Sequence, residues 1–419
     1  MFVKKFRNNS VIDDLAEGIT KDCVLLLLGE VIKWIPIGYL LVVLPIYLHQ
    51  IGFDPFLIGS FITASGLAIV ITLPLTGYLS DRYGRRPFLI IGFLLSIPSY
   101  VILILSNNVY LIATAYILGG LGMPAGISDS IAAPSWLTML AESSKEKYRT
   151  KIFTLGMVSF SAALSIGALL SFLPTFFQTM LSISFRNAHQ LMFAILILIN
   201  IIAVIVVLPV KETLIKTDLK KTDKETDSAE RSFKKFPNKR LIFKFMFATI
   251  PTGATFMVLQ LSPLWFNLKY GVGEAEIGPW FAASNLIAII FMLSAPILVN
   301  KVGIIRALIL SWFIGGGLMI VMPNSPYYQF AAIIYILFSS IFYLTTPIRQ
   351  SFALEIFPPS ARAFAMAITF AAFTLSGSIV SMMGGYLLSG MHLSLPFYIV
   401  AVAQILSVIL TYIFFRNWK

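Results

Sequence analysis

The chain is short of charge, of cysteine and of histidine. Only 12% of its 419 residues are charged, where a soluble protein carries about 25%, while 58% are apolar. So few polar groups cannot cover a surface in water, which excludes a soluble enzyme, a nucleic-acid-binding module and a disordered chain. A single cysteine, Cys23, excludes an intramolecular disulfide. The three histidines, His49, His189 and His392, stand at the outer ends of apolar runs without the spacing of metal ligands, and read as interfacial polar residues. No cofactor motif is present, so neither metal nor cofactor is expected. Residues 1–22 mix Lys4, Lys5 and Arg7 with Asp13, Asp14 and Glu17 and lack the apolar core of a cleaved leader, which reads as an interfacial helix.

What remains is long apolar sequence. A membrane-crossing helix takes about 20 apolar residues, and the runs form spans near 23–48, 56–80, 87–106, 109–141, 152–173 and 189–210. A second set falls near 245–268, 276–299, 307–323, 327–355, 363–389 and 393–415. With the N-terminus inside, only Arg186 and Lys269 of the 31 basic residues fall in outer loops, and only Lys33 and Arg349 within spans. That bias places both termini in the cytosol of a multi-pass protein of the cell membrane. The net charge of +12 is therefore a topology signal facing anionic lipid headgroups, not nucleic acid. The fold class is an all-α polytopic membrane protein built from two six-helix bundles. Its divisions are a cytosolic segment at 1–22, a first bundle at 23–210, a charged linker at 211–239 and a second bundle at 240–419.

The halves repeat each other. In one register Gly52 matches Gly271, Ile58 matches Ile277, Gly59 matches Gly278, Asp81 matches Asn300 and Gly84 matches Gly303. In a second, Pro134 matches Pro347, Glu142 matches Glu355 and Arg149 matches Arg362. Parallel six-helix repeats about an axis normal to the membrane are a transporter architecture. Between the second and third spans stands GYLSDRYGRRP, from Gly77 to Pro87. Gly77 permits close helix approach, Asp81 is an anion at a helix C-terminus that needs a positive partner, and Arg82, Arg85 and Arg86 supply cations around the reversal at Gly84.

This string, with the twelve spans, the duplicated halves and the decayed second copy NKVGIIR from Asn300 to Arg306, resembles the major facilitator superfamily. The resemblance implies alternating access and a cytosolic gate. Gly77 and Asp81 would meet the start of span 11 near Arg362, Arg85 or Arg86 would pair with Glu142, and Arg149 would extend the network. Arg306, Glu355 and Arg362 would form its counterpart in the second half. Departures narrow the subgroup. Tyr116 occupies the place of an arginine that many proton-linked members carry, and the span from Gly156 to Ser171 lacks the proline of drug antiporters. Glu355 to Arg362 resembles a string common in sugar and organic-acid importers.

Ionisable groups inside spans are costly and functional by default. Here they are Glu30 and Lys33 in span 1, Asp129 in span 4 and Arg349 in span 10, with uncharged Gln260 and Asn267 in span 7. The resemblance makes spans 1, 4, 7 and 10 the lining of a central cavity. Glu30 and Lys33, three residues apart, share a helix face and can neutralise each other. Asp129 follows the glycine-rich stretch from Gly119 to Gly126, where span 4 should break, and Arg349 lies near enough the inner end to belong to the gate. The expectation is a monomeric secondary transporter in which Glu30 or Asp129 carries protons and Lys33, Arg349, Gln260 and Asn267 hold an anionic metabolite. Proton-coupled efflux of cationic drugs is the alternative. A channel lacks its filter loop here, and an intramembrane enzyme lacks a nucleophile–base set.

Overall fold

The computed structural model describes residues 20–122, 126–213, 239–357, 362–416 and 418, with the side chains of 146, 150, 239 and 362–368 left aside. The expected interfacial helix and the body of the charged linker therefore lie outside the described residues. The described chain is helical. It forms α1 (Lys21–Gln50), α2 (Pro55–Tyr83), α3 (Arg85–Leu105), α4 (Val109–Gly119), α5 (Gly126–Glu142), α6 (Arg149–Leu169), α7 (Leu173–Leu181) and α8 (Phe185–Val207). The second half forms α9 (Lys239–Thr249), α10 (Thr255–Tyr270), α11 (Glu274–Val302), α12 (Ile304–Val321), α13 (Tyr328–Ile356), α14 (Arg362–Ser389) and α15 (Leu395–Phe415). Among the described residues 11 helical segments are long and apolar enough to cross a membrane, and the shorter α4 is also apolar.

Local chemistry sets the helix ends. The Thr20 hydroxyl accepts from the Cys23 amide at 3.2 Å, Asp54 from Phe56 at 2.8 Å and Asn108 from Tyr110 at 2.9 Å, each satisfying a first-turn amide that lacks an intrahelical partner. Span 4 breaks where its glycines indicate. Gly120 ends α4 in the left-handed region, and α5 resumes at Gly126. The Gly126 amide then donates to Ser65 Oγ at 3.2 Å and Ser128 Oγ donates to the Gly119 carbonyl at 3.2 Å, so side chains satisfy backbone groups that the break frees.

The helices pack as two bundles, α1–α8 and α9–α15, which meet mainly where α2 packs on α14 and α6 on α11. These two seams are one seam repeated. A Cβ on Gly59 of α2 would lie 2.6 Å from the Ser381 carbonyl of α14, and one on Gly278 of α11 would lie 2.7 Å from the Ala168 carbonyl of α6. Gly59 and Gly278 are matched in the sequence repeat, so duplicated glycines hold equivalent places. The reversals at Gly84 (φ 114°) and Gly303 (φ 85°) repeat likewise, in a region that disfavours side chains.

Every inter-bundle approach that these glycines report lies away from the basic end, the end carrying Lys21, Arg85 and Glu142. Thr63 Oγ1 donates to the Ser378 carbonyl at 2.5 Å and Ser165 Oγ to the Ala282 carbonyl at 3.0 Å in the same half. At the basic end, by contrast, nothing among the described residues lies within 4 Å of a Cβ placed on Gly77. Among the described residues the bundles are therefore drawn together at the opposite end rather than around Gly77. Between them, α1, α10, α11 and α13 enclose a cavity of about 30 Å³.

Candidate functional site

Below that cavity, toward the basic end, the first bundle buries a cluster of charge. Lys33 Nζ lies 2.5 Å from Asp129 Oδ1, with the lysine side chain 3% exposed. The break in span 4 positions this pair, because it sets Asp129 in the first turn of α5, at a positive helix end. Lys33 also sits over the rings of Phe93, at 5.0 Å, and Trp34, at 5.9 Å. One turn away Glu30 Oε1 accepts from Trp34 Nε1 at 2.7 Å, while its Oε2 meets no hydrogen-bond partner among the described residues. Three of the four deep charges thus share one site, two acids around one base. The sequence places Lys33 beside Glu30; the fold gives its close contact to Asp129 instead.

The second bundle holds the opposite arrangement. The Arg349 guanidinium stacks over Phe373 at 4.2 Å, and among the described residues no carboxylate lies within 4.0 Å of it. It lines a small cavity with Thr249, Gln350 and Thr369. Gln260 is 2% exposed, and among the described residues neither its amide nitrogen nor its oxygen meets a hydrogen-bond partner. A buried amide left unpaired costs about 1–3 kcal/mol. Asn267 is differently employed. Its Nδ2 donates to the Val272 carbonyl at 3.0 Å and fixes the turn after α10.

An inventory of ionisable groups misses the uncharged polar lining of the inter-bundle cavity. Ser284 and Asn285 of α11 reach it, as do Tyr335, Ser339 and Tyr343 of α13. The last three recur every fourth residue, the spacing of one helix face. That stripe is the sequence signal that would have found them.

At the basic end the motif makes a network inside the first bundle. Arg85 Nε donates to Asp81 Oδ1 at 3.0 Å, and its Nη1 pairs with Glu142. Arg86 Nη2 donates to the Leu208 carbonyl at 2.6 Å, Arg82 Nη1 to the Tyr78 hydroxyl at 3.2 Å and Arg149 Nε to the Ala141 carbonyl at 3.1 Å. The Glu212 carboxylate accepts from the amides of Arg85 and Arg86, capping α3. So Arg85 is the partner of Glu142. Among the described residues nothing lies within 4 Å of a Cβ on Gly77 and Asp81 pairs with its own helix neighbour, while the side chains near Arg362 that the resemblance sets against them lie outside the described residues. In the second half Arg306 and Glu355 line a cavity of about 650 Å³ with Arg416 without pairing with each other. The Arg362 side chain lies outside the described residues.

Known proteins match both sequence and fold. The family model for the Major Facilitator Superfamily matches residues 26–342. The arabinose-proton symporter of Bacillus subtilis (strain 168) is 37% identical over 78 residues, 19% of this chain and 17% of that protein. The class H tetracycline resistance protein of Pasteurella multocida is 26% identical over 155 residues, 36% of this chain and 37% of that protein. The chain therefore spans little more than a third of the length of either relative at most. The crystal structure of a D-xylose-proton symporter superposes with a TM-score of 0.74 at 18% identity, covering 94% of this chain and 97% of the other. Because the family model spans residues 26–342, most of a chain with this fold, the chain belongs to the Major Facilitator Superfamily, and it is a multi-pass membrane transporter rather than an enzyme.

Proposed function

We propose that the protein carries a small anionic metabolite across the cell membrane together with a proton, by alternating access. The observation that supports this most is the division of buried charge between the bundles. Arg349 is a buried cation without a carboxylate, suited to an anionic group of the solute. Lys33, Asp129 and Glu30 hold one carboxylate more than they have cations, suited to a proton. Gln260 offers a donor and an acceptor to the solute's polar atoms. Lys33 joins the binding of the anion when protonation of Asp129 releases it, and Asn267 shapes the turn beside the site. With the basic end in the cytosol, the structure is open inward and both termini are cytosolic. The network of Asp81, Arg85 and Glu142 then engages span 11 when that end closes.

A second reading, efflux of cationic compounds, has its own support in the tetracycline resistance relative and in the unpartnered Glu30 oxygen beside Trp34 and Phe160, whose rings lie 4.5 Å apart. Thermal-shift screening against anionic metabolites and cationic drugs, then uptake into proteoliposomes under an imposed pH gradient, separates the two. An anion should accumulate in the wild type, and Arg349→Ala should abolish binding. Asp129→Asn and Glu30→Gln together should abolish accumulation while exchange persists. Cation efflux indifferent to Lys33→Ala and Arg349→Ala would replace the proposal with the second reading.

A further inference from the structure

One corner of the basic end is built differently in the two halves. In the first, the Glu212 carboxylate accepts from the amides of Arg85 and Arg86, the first residues of α3, and Arg85 pairs with Glu142. The register that matches Gly84 with Gly303 sets Ile304 and Ile305 in the places of Arg85 and Arg86, so Glu355, the match of Glu142, loses that cation. The last spans of the halves repeat in a register of their own, in which Phe193 matches Phe397 and Asn200 matches Gln404, all four buried. The same register sets Arg416 in the place of Glu212. The second half thus carries a cation where the first carries its capping carboxylate.

The exchange leaves the cavity of about 650 Å³ beside the reversal from α11 to α12. Arg306 of α12 and Arg416, just past α15, line it together with Glu355 of α13. Among the described residues none of the three takes part in an ion pair. Gly303 precedes α12 without a side chain to cap it, so the first-turn amides of that helix keep their pull on an anion. Two cations and an uncapped helix start therefore face one space. Glu355 restricts what can fill it, because two positive side chains and one negative leave a single positive charge, and a carboxylate only accepts hydrogen bonds. A singly charged anion that also carries hydroxyls satisfies all three side chains. The rest of the wall is apolar, from Ile304, Ile305, Ile309 and Tyr412. One turn further along the helices, Phe313 after Ile309 and Ile409 before Tyr412 are 62% and 48% exposed, on surface that acyl chains cover in a membrane.

We propose that this cavity binds the headgroup of an anionic membrane lipid, a phosphodiester bearing hydroxyls such as a glycerol headgroup, with its chains laid along α12 and α15. The phosphate serves the second half as the Glu212 carboxylate serves the first, set against the arginines and the start of α12. A guanidinium meets phosphate oxygens two at a time, and Glu355 accepts from a headgroup hydroxyl. The lipid then ties α12, α13 and α15 together, as Glu212 and the pair of Arg85 with Glu142 tie the first bundle. The apolar wall, open to the acyl-chain surface, selects a lipid over a soluble phosphate. The site shares no residue with those proposed for solute and proton, and the inference rests on the chain's place in a membrane, not on what it carries.

The test is the affinity of the full chain, purified in detergent and stripped of lipid, for dioleoylphosphatidylglycerol, read by native mass spectrometry as the lipid is titrated. The wild type should bind a first copy of this lipid more tightly than later ones. It should also bind it more tightly than dioleoylphosphatidylcholine, whose headgroup is neutral overall and has no hydrogen to donate. Arg306→Gln and Arg416→Gln should each weaken the first binding about tenfold, the worth of one hydrogen bond to a charged group. Arg416→Glu gives the second half the carboxylate that the first half has and should abolish it, which covers the case of one variant misfolding. Lys145→Gln combined with Lys211→Gln removes two exposed cations of the first bundle and should leave it unchanged. Unchanged affinity in the folded arginine variants would overturn the site. Equal affinity for the two lipids, or an equal loss in the lysine variant, would mean general attraction to the surface and overturn it too. Displacement of the lipid by equimolar glycerol 3-phosphate would assign the cavity to a soluble phosphate and overturn the lipid.

Discussion

The ion pair of Lys33 with Asp129 is buried, with the lysine 3% exposed. Desolvating two charges costs several kcal/mol per ion, and removing one partner of such a pair costs about 3–5 kcal/mol because the other is left buried alone. Lys33→Ala should therefore lower thermal stability sharply, whereas Lys33→Met combined with Asp129→Leu should regain most of the loss, as unfolding in detergent would show. An equal loss in the double variant would mean that packing rather than charge holds the site. Gln260 should behave in the opposite sense. Its amide meets no protein partner, so Gln260→Leu should leave stability unchanged or raised and weaken solute binding roughly tenfold, the worth of one hydrogen bond left unmade. A calorimetric affinity equal to that of the wild type would remove Gln260 from the binding site.

Among elements, the two seams set which end is closed. At the α11–α6 seam a Cβ on Gly278 would also fall within 1.7 Å of Ser171 Oγ, so side chains there force the helices apart. Gly59→Ala and Gly278→Ala should each shift the population toward opening at the end away from the basic one. Cysteines placed at that mouth should become more reactive to a membrane-impermeant alkylating reagent, and the double variant should exceed either single one. Unchanged reactivity would mean that the seams follow closure rather than set it. Much of this was legible beforehand. The match of Gly59 with Gly278 and the break before Asp129 are local features, because a backbone that bends or touches another backbone excludes side chains. The partner of each glycine was not legible, since α14 and α6 approach through carbonyls and serines with no signal of their own. Asp81 shows the other limit: its motif announces an inter-bundle contact, while among the described residues the carboxylate pairs with Arg85 of its own bundle.

At the scale of the whole molecule, the sequence shows its span boundaries, its halves and its charge inventory because the lipid allows few polar residues and each one stands out. What it conceals is how charges combine across the fold. His189 reads as an interfacial ring, and only the fold buries it and brings Glu274 of α11 to 3.2 Å from it. Asp129 and Lys33, which form the buried ion pair, lie 96 residues apart. The assembled picture is a transporter drawn together at one end by duplicated glycine seams, with two acids around one base in the first bundle and, among the described residues, a buried cation without a carboxylate in the second. The proposed coupling has solute and proton move together through that division of charge. It is read in the internal pH of proteoliposomes reported by a trapped dye when solute is added outside, with no gradient imposed. Solute-dependent acidification is expected from the wild type, and none from the variant combining Glu30→Gln with Asp129→Asn although it still exchanges solute. Solute uptake by the wild type without any change of internal pH, or full acidification by the double variant, would contradict it.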